Sequence, residues 1–505
     1  MTVSGAEGRE PGTPGMVNGR LSGTGPTVAK RVARRWKVLA ITSVAVFMAL
    51  LDVTIVNIAF PDIRASFPQD SLGDLSWILN GYNIVFAAAL VPAGRLADRV
   101  GRKRMFIGGV LVFLAASLLC GVSVSVPMLV AARALQAVGG AILTPTSLSL
   151  ILPEFPVEQR ATATSLWMAT GAVAAATGPS LGGVLVNWQG WRAVFFVNVL
   201  FGLLAIVPAR RLLRESRDAK SSGWPDWIGS ALLALGVGAL ALAIIKGPDW
   251  GWVSGRLLGS FAAAALILAL FVVRSARHRT PVIELGLFRV RSFTVANVGG
   301  FVFGIGFFAL LLCNVLFLTT VWHYSILGAG AALTPGPIAA AMTAPVAGRL
   351  ADRFGQRAIA VPGSLLFAAG SMLLILRTGA IAHYWTAFFP AAVLGGAGIG
   401  LSVPAFGSAA VAELPRQRFA TGIAISSLFR QIGAVIGIAL LVAVIGTPST
   451  GNPLNAFHRC WAMVASAGIA SALFSLALGR VRARQVETDS AAQPERTIET
   501  QQGPS

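Results

Sequence analysis

Gly94-Arg95-Leu96-Ala97-Asp98-Arg99 recurs unchanged as Gly348-Arg349-Leu350-Ala351-Asp352-Arg353. Each copy closes a long apolar stretch, and each is followed two residues later by a glycine, Gly101 and Gly355. A six-residue identity at such a separation points to an internal duplication. A second pair agrees: Glu158-Gln159-Arg160-Ala161-Thr162 and Arg416-Gln417-Arg418-Phe419-Ala420-Thr421. Duplicated halves packed around a central site are how many secondary transporters are built. A solute carrier therefore stands ahead of any enzyme.

Composition sets the solvent. Of 505 residues, 55% are hydrophobic and 12% charged, with a mean hydropathy of +0.73. That much apolar surface requires lipid. Stretches of spanning length, about 17–25 residues, fall near 38–60, 75–97, 105–125, 127–152, 162–187, 192–213, 226–246, 256–273, 292–320, 330–350, 358–377, 383–412, 419–446 and 458–480. The expectation is an all-α integral membrane protein of fourteen transmembrane helices. Two pseudo-symmetric six-helix bundles, 38–213 and 274–480, flank an inserted central pair, 214–273. Residues 1–37 and 481–505 read as disordered cytoplasmic tails.

Basic residues choose the orientation. Six of the 40 Lys and Arg fall in one set of loops: Arg64, Arg192, Lys246, Arg256, Arg377 and Arg459. Arg133 and Arg430 fall within spans, and the other 32 lie on the side of the termini. Both termini are therefore expected in the cytoplasm, at the plasma membrane. The net charge of +20 reads as a topology signal and an affinity for anionic inner-leaflet lipids, not as a nucleic-acid footprint. Trp188, Trp191, Trp250, Trp252, Trp322 and Trp385 fall near outer ends and Trp36, Trp224 and Trp227 near inner ends, as interfacial anchors would. Cys120, Cys313 and Cys460 are far apart in apolar sequence and read as packing residues.

Four motifs carry a resemblance. Gly94 to Arg104 holds Gly94, Arg95, Asp98, Arg99, Gly101 and Arg102 in a short loop between spans two and three. Asp98 there could cap a helix N-terminus while the arginines meet carboxylates or lipid phosphates. The second copy (Gly348, Arg349, Asp352, Arg353) has Gln356 in place of Arg102, so it should be the weaker latch. In span one, Leu51-Asp52-Val53-Thr54 places Asp52 nine residues before Pro61, about 13 Å from the outer end at 1.5 Å per residue. A carboxylate at that depth costs about 2.5–3.5 kcal/mol on insertion scales, so it should face a cavity or carry a proton. Arg133-Ala134-Leu135-Gln136-Ala137-Val138-Gly139-Gly140 sets Arg133 six residues from Pro127 in span four, a depth from which it could pair with Asp52. The matching place in the second half, Ala391-Ala392, is uncharged. Span five holds Gly171, Gly178, Pro179, Gly182 and Gly183. Proline there kinks the helix and the glycines admit a neighbour closely.

Together these motifs resemble the major facilitator superfamily, specifically its fourteen-span drug:proton antiporters. The resemblance covers nearly the whole apolar region. It implies alternating access, with Asp52 and Arg133 in proton coupling, the repeated hexapeptides as cytoplasmic gate, and Gly171 to Gly183 as the antiporter motif. Asn57, Asn83, Gln136 and Trp167 are the expected polar or aromatic cavity groups, while Arg430 reads as an anchor near an inner helix end.

The expected activity is export of a lipophilic or cationic drug or antibiotic against a proton, by a monomer with no cofactor. The alternative is a dedicated exporter of one endogenous metabolite, self-made antibiotic or lipid. An Ala-, Gly- and Arg-rich composition fits a high-GC bacterium. No Gly-x-x-x-x-Gly-Lys-Ser/Thr loop is present, and His278, His323, His383 and His458 lack metal-ligand spacing. A membrane enzyme would need several reactive groups at one depth, and a scaffold would not need Asp52.

Overall fold

The computed structural model describes residues 26–156, 159–218, 223–415, 418–446 and 453–478, without the side chains of residues 26–32, 161 and 352. The remainder of both tails, and Glu158, Arg416 and Gln417 of the second repeat, lie outside the described residues. In chain order the α-helices are α1 (Pro26–Ser66), α2 (Leu72–Val100), α3 (Arg102–Gly121), α4 (Val126–Ile151), α5 (Arg160–Gln189), α6 (Ala193–Leu212), α7 (Trp227–Trp250) and α8 (Gly255–Arg277). They continue as α9 (Arg291–Thr320), α10 (Ile326–Leu333), α11 (Pro335–Phe354), α12 (Arg357–Arg377), α13 (Phe389–Val411), α14 (Phe419–Gly446) and α15 (Pro453–Leu476). They supply 14 spans of membrane-crossing length and hydropathy, with α10 and α11 sharing one.

Local chemistry sets the helix ends. The Ser71 and Ser325 hydroxyls accept from Asp74 N at 3.1 Å and Gly328 N at 3.1 Å, capping α2 and α10. Gly101 and Gly355 end α2 and α11 at φ of +129° and +88°, where a side chain would strain the backbone. The tenth span was expected to be continuous. Instead it breaks at Thr334, because Pro335 and Pro337 at the start of α11 have no N–H to continue the ladder.

Packing divides the helices into two groups. In the first half α1 lies on α4, α5 and α6, α2 on α4, and α3 on α4 and α6. In the second, α9 lies on α13, α14 and α15, and α13 on α11 and α12. The halves meet along two seams, α2 against α14 and α5 against α10 and α11. Helix α7 packs on α8 and covers the groove between α2 and α14. Helix α8 leaves Leu258, Leu266 and Leu270 at least half exposed, as a lipid-facing helix does.

Two expectations need correction. Helix α1 begins at Pro26, well before Val38, and its basic extension is held by Arg34 pairing with Glu154 at 2.8 Å. Trp191 and Trp322, expected at the interface, are 1% and 6% exposed. Their indole N–H groups donate to Ser66 Oγ at 3.0 Å and Gly379 O at 2.9 Å. Trp188 and Trp385, by contrast, are exposed.

Candidate functional site

A polar cluster sits inside the first half where the sequence is otherwise apolar. Asp52 (α1) is 0% exposed and Arg133 (α4) 1%. Arg133 Nη1 donates to Asp52 Oδ2. The other carboxylate oxygen accepts from Gln136 Nε2 and from Asn198 Nδ2 (α6), each at 2.9 Å. Arg133 and Gln136 stand three residues apart and therefore share a helix face. Gln136 Oε1 accepts in turn from Arg133 Nη1 at 2.7 Å. Ser117 (α3) accepts from Gln136 and Asn198, and donates to Phe195 O at 2.8 Å. The guanidinium also donates through Nε to Ile78 O at 3.3 Å and lies 4.2 Å from the Tyr82 ring centroid, both on α2.

Five helices thus converge on one carboxylate. The arrangement satisfies a buried ion pair with hydrogen bonds on both sides, the condition under which such a pair survives in a low dielectric. Two atoms at its edge, Tyr82 Oη and Asn198 Oδ1, are buried with no partner among the described residues. Asp52 does not face an open cavity. Gln136, expected to line one, is instead a member of this cluster. Asn57 is 6% exposed and donates to its own helix at Val53 O, 2.7 Å away. Asn83 is 4% exposed with an unpartnered Oδ1, and Trp167 donates to Ser147 Oγ at 3.1 Å. Ser117, Tyr82 and Asn198 had not been singled out for this site, since neutral polar residues within a span give little sequence signal.

The glycines of α5 form the second feature. A Cβ at Gly178 would fall 2.7 Å from Thr54 Cβ, and one at Gly182 2.9 Å from Ile55 Cγ1. Gly171 faces Leu50 in the same way, at 2.9 Å. The helix that carries Asp52 is therefore seated in the α5 glycine groove. On the other side of α5, a Cβ at Gly183 would lie 3.1 Å from Leu327 Cα of α10, beside Pro179. Ser180 Oγ and Thr334 Oγ1 share a hydrogen bond of 2.6 Å across the same seam. One helix thus touches the Asp52 helix and the opposite half.

The repeated hexapeptides lie at the end of the bundle where α1 begins. Asp98 does not cap a helix N-terminus; its carboxylate pairs with Arg102 at 2.8 Å. Glu215 caps α3 instead, accepting from Lys103 N and Arg104 N at 3.1 Å each. The chain after α6 is strapped to this loop, with Arg102 N donating to Ser216 O and Asp218 N to Asp98 O. Gly94 packs on Pro145, its would-be Cβ 3.4 Å away. Arg95 reaches Glu284 at 3.7 Å, and Arg99 lies 4.1 Å over Trp224. The second copy is less engaged. Gly348 has no atom within 4 Å of a built Cβ, Arg349 is exposed, and Arg353 lies over its neighbour Phe354. Gln356 accepts from Ser408 Oγ at 2.8 Å, while the Asp352 side chain lies outside those described. Glu215→Ala should remove two N–H partners at α3, at a cost of about 1 kcal/mol. A lower thermal midpoint with unchanged expression is the expected reading.

Fourteen spans, twelve in two helix groups and two between them, with an ion pair buried in the first group, fit a polytopic membrane transporter. The family model of the Major Facilitator Superfamily matches residues 42–286 and 296–501. The chain is 33% identical over 409 residues to the multidrug resistance protein Stp of Mycobacterium tuberculosis, covering 81% of this chain and 75% of that protein. It is 34% identical to a methylenomycin A resistance protein of Bacillus subtilis, over 82% of this chain and 88% of the relative. A probable actinorhodin transporter of Streptomyces coelicolor is 31% identical over 92% and 82% of the two chains. Among solved structures, a POT family transporter in complex with 5-aminolevulinic acid superposes with a TM-score of 0.64 at 14% identity, over 87% of this chain and 95% of that one. The chain belongs to the Major Facilitator Superfamily, within its drug- and antibiotic-efflux transporters.

Proposed function

We propose that the chain is a proton-coupled efflux transporter of the bacterial plasma membrane, exporting lipophilic drugs or antibiotics by alternating access. The observation that carries the proton coupling is the buried Asp52–Arg133 pair. Protonating Asp52 removes the charge that Arg133 is paired with, so the guanidinium loses its reason to stay beside α1. Thr54 and Ile55 of the same helix rest in the α5 groove, and α5 touches the second half. A change at Asp52 therefore reaches the seam between halves through two helix contacts.

The basic end is the cytoplasmic one on this reading, by the excess of Lys and Arg there. The α5–α10 seam would then close the outer face while the ion pair is formed. Substrate would enter from the cytoplasm or inner leaflet, and the proton from outside after the halves rock. Because Asp52 is fully enclosed, substrate and proton need not compete for its atoms. They would act on the same equilibrium between states. The relatives named for one antibiotic support the narrower reading, a dedicated exporter of a self-made compound, as much as they support a broad one.

Inverted membrane vesicles holding a pH gradient test the proposal. Addition of a transported compound should dissipate the gradient only in vesicles containing the protein. No response across a panel of lipophilic antibiotics and dyes would defeat the broad reading.

A further inference from the structure

Arg430 was expected to anchor an inner helix end, yet α14 begins at Phe419, as its span was expected to, and Arg430 stands eleven residues inside it. At 1.5 Å per residue its Cα is about 16 Å from that end. Its guanidinium turns back toward the basic end, as helical side chains do, and among the described residues it donates to Ser427 Oγ at 3.5 Å. No carboxylate lies within 4 Å of it among the described residues. Of the acids at that end, Glu284 pairs with Arg95 and Arg418, and Glu413 accepts from Ser292 Oγ at 2.7 Å. Asp52 and Arg133 neutralise one another, whereas Arg430 has no carboxylate partner among the described residues.

Its neighbours keep it from the lipid. Gly304 of α9 lies against the Arg430 backbone, α2 packs on α14, and α7 covers the groove between α2 and α14. On the face bearing Arg430, Ile423, two turns nearer the basic end, is 43% exposed. An ionised group held within a span without a partner marks a substrate or ion pathway.

We propose that Arg430 is a substrate-binding residue and that the preferred cargo is a lipophilic organic anion, an apolar body bearing one carboxylate or comparably acidic group. This rests on the exporter reading and narrows its substrate class, in place of the cationic compound expected from sequence. The acid group would pair with the guanidinium beside Ser427 while the apolar body lies among the α2, α9 and α14 side chains. The charge count follows. Exporting a monoanion against one proton moves two charges inward per cycle, whereas exporting a monocation moves none.

The test uses the full chain in proteoliposomes, with pyrenebutyrate as the monoanion and ethidium as the monocation. Wild type should transport pyrenebutyrate, faster when a valinomycin-set potential makes the side receiving the anion positive and slower when it is reversed. Arg430→Gln should lose at least about tenfold of that rate, the scale of one charge-assisted contact. Arg430→Lys should retain part of it, and ethidium transport should be indifferent to both substitutions. Equal pyrenebutyrate rates in wild type and Arg430→Gln would overturn the proposal, as would equal loss of both compounds in a variant that keeps its melting temperature. Binding is read separately: pyrenebutyrate should raise the melting temperature of wild type and not of Arg430→Gln. No shift in wild type overturns the proposal whatever the transport result. Ethidium-driven proton movement in the same wild type would show that the exporter reading survives that failure.

Discussion

Asp52→Asn should abolish substrate-driven proton movement, with a fall of at least about a hundredfold in inverted vesicles at equal protein abundance. The reasoning is in the donor count. Asp52 receives Arg133 on one oxygen and Gln136 and Asn198 on the other. Asparagine has one acceptor and one donor at those two positions. Whichever way its amide turns, an N–H meets an N–H: the guanidinium in one orientation, two side-chain amides in the other. Arg133 is also left as a buried cation without its carboxylate, which costs about 3–5 kcal/mol when one partner of a buried pair is removed. The conformation that the pair holds together should thus be disfavoured, and the proton has no site. The shift alone corresponds to a factor of about 150 or more, which sets the expected floor. Asp52→Asn vesicles that dissipate the gradient at the wild-type rate would remove Asp52 from the coupling mechanism and leave export itself standing.

Much of this was legible because a membrane makes charge conspicuous. Asp52, Arg133 and Arg430 stand out in apolar runs, and the repeated hexapeptide marks two equivalent helix connections. Depth was legible as well, by counting residues from a helix end. Direction was not. A position along a helix gives height in the membrane but says little about which neighbour a side chain meets, so Trp191 and Trp322 read as interfacial while both are enclosed. Asn198, Ser117 and Tyr82 complete the site from three further helices, and only tertiary packing brings them to Asp52. Arg430 was read as an end anchor although the expected span, 419–446, has the bounds of α14, and counting from Phe419 already placed it deep within the helix.

The glycine seam supplies the second large effect. Gly330→Val should shift the protein out of the outwardly closed state and reduce transport by at least about tenfold while leaving the fold intact. A Cβ at Gly330 would stand 3.2 Å from the Pro179 carbonyl carbon and 3.3 Å from Gly183 Cα. Those are backbone atoms of α5 and cannot turn aside as a side-chain tip can, and valine adds two methyls beyond the Cβ. Overpacking of this kind costs about 1–3 kcal/mol, enough to invert an equilibrium between two states separated by a similar amount. The three atoms nearest that Cβ all belong to α5, so the cost falls first on the seam. Ser180, hydrogen-bonded to Thr334 at the same seam, offers a reporter. As Ser180→Cys it should resist an impermeant maleimide added from outside. In the Gly330→Val background it should react, at an unchanged melting temperature. Continued protection together with wild-type transport would mean that α5 and α10 do not part during the cycle, and the route from Asp52 to the second half would have to run elsewhere.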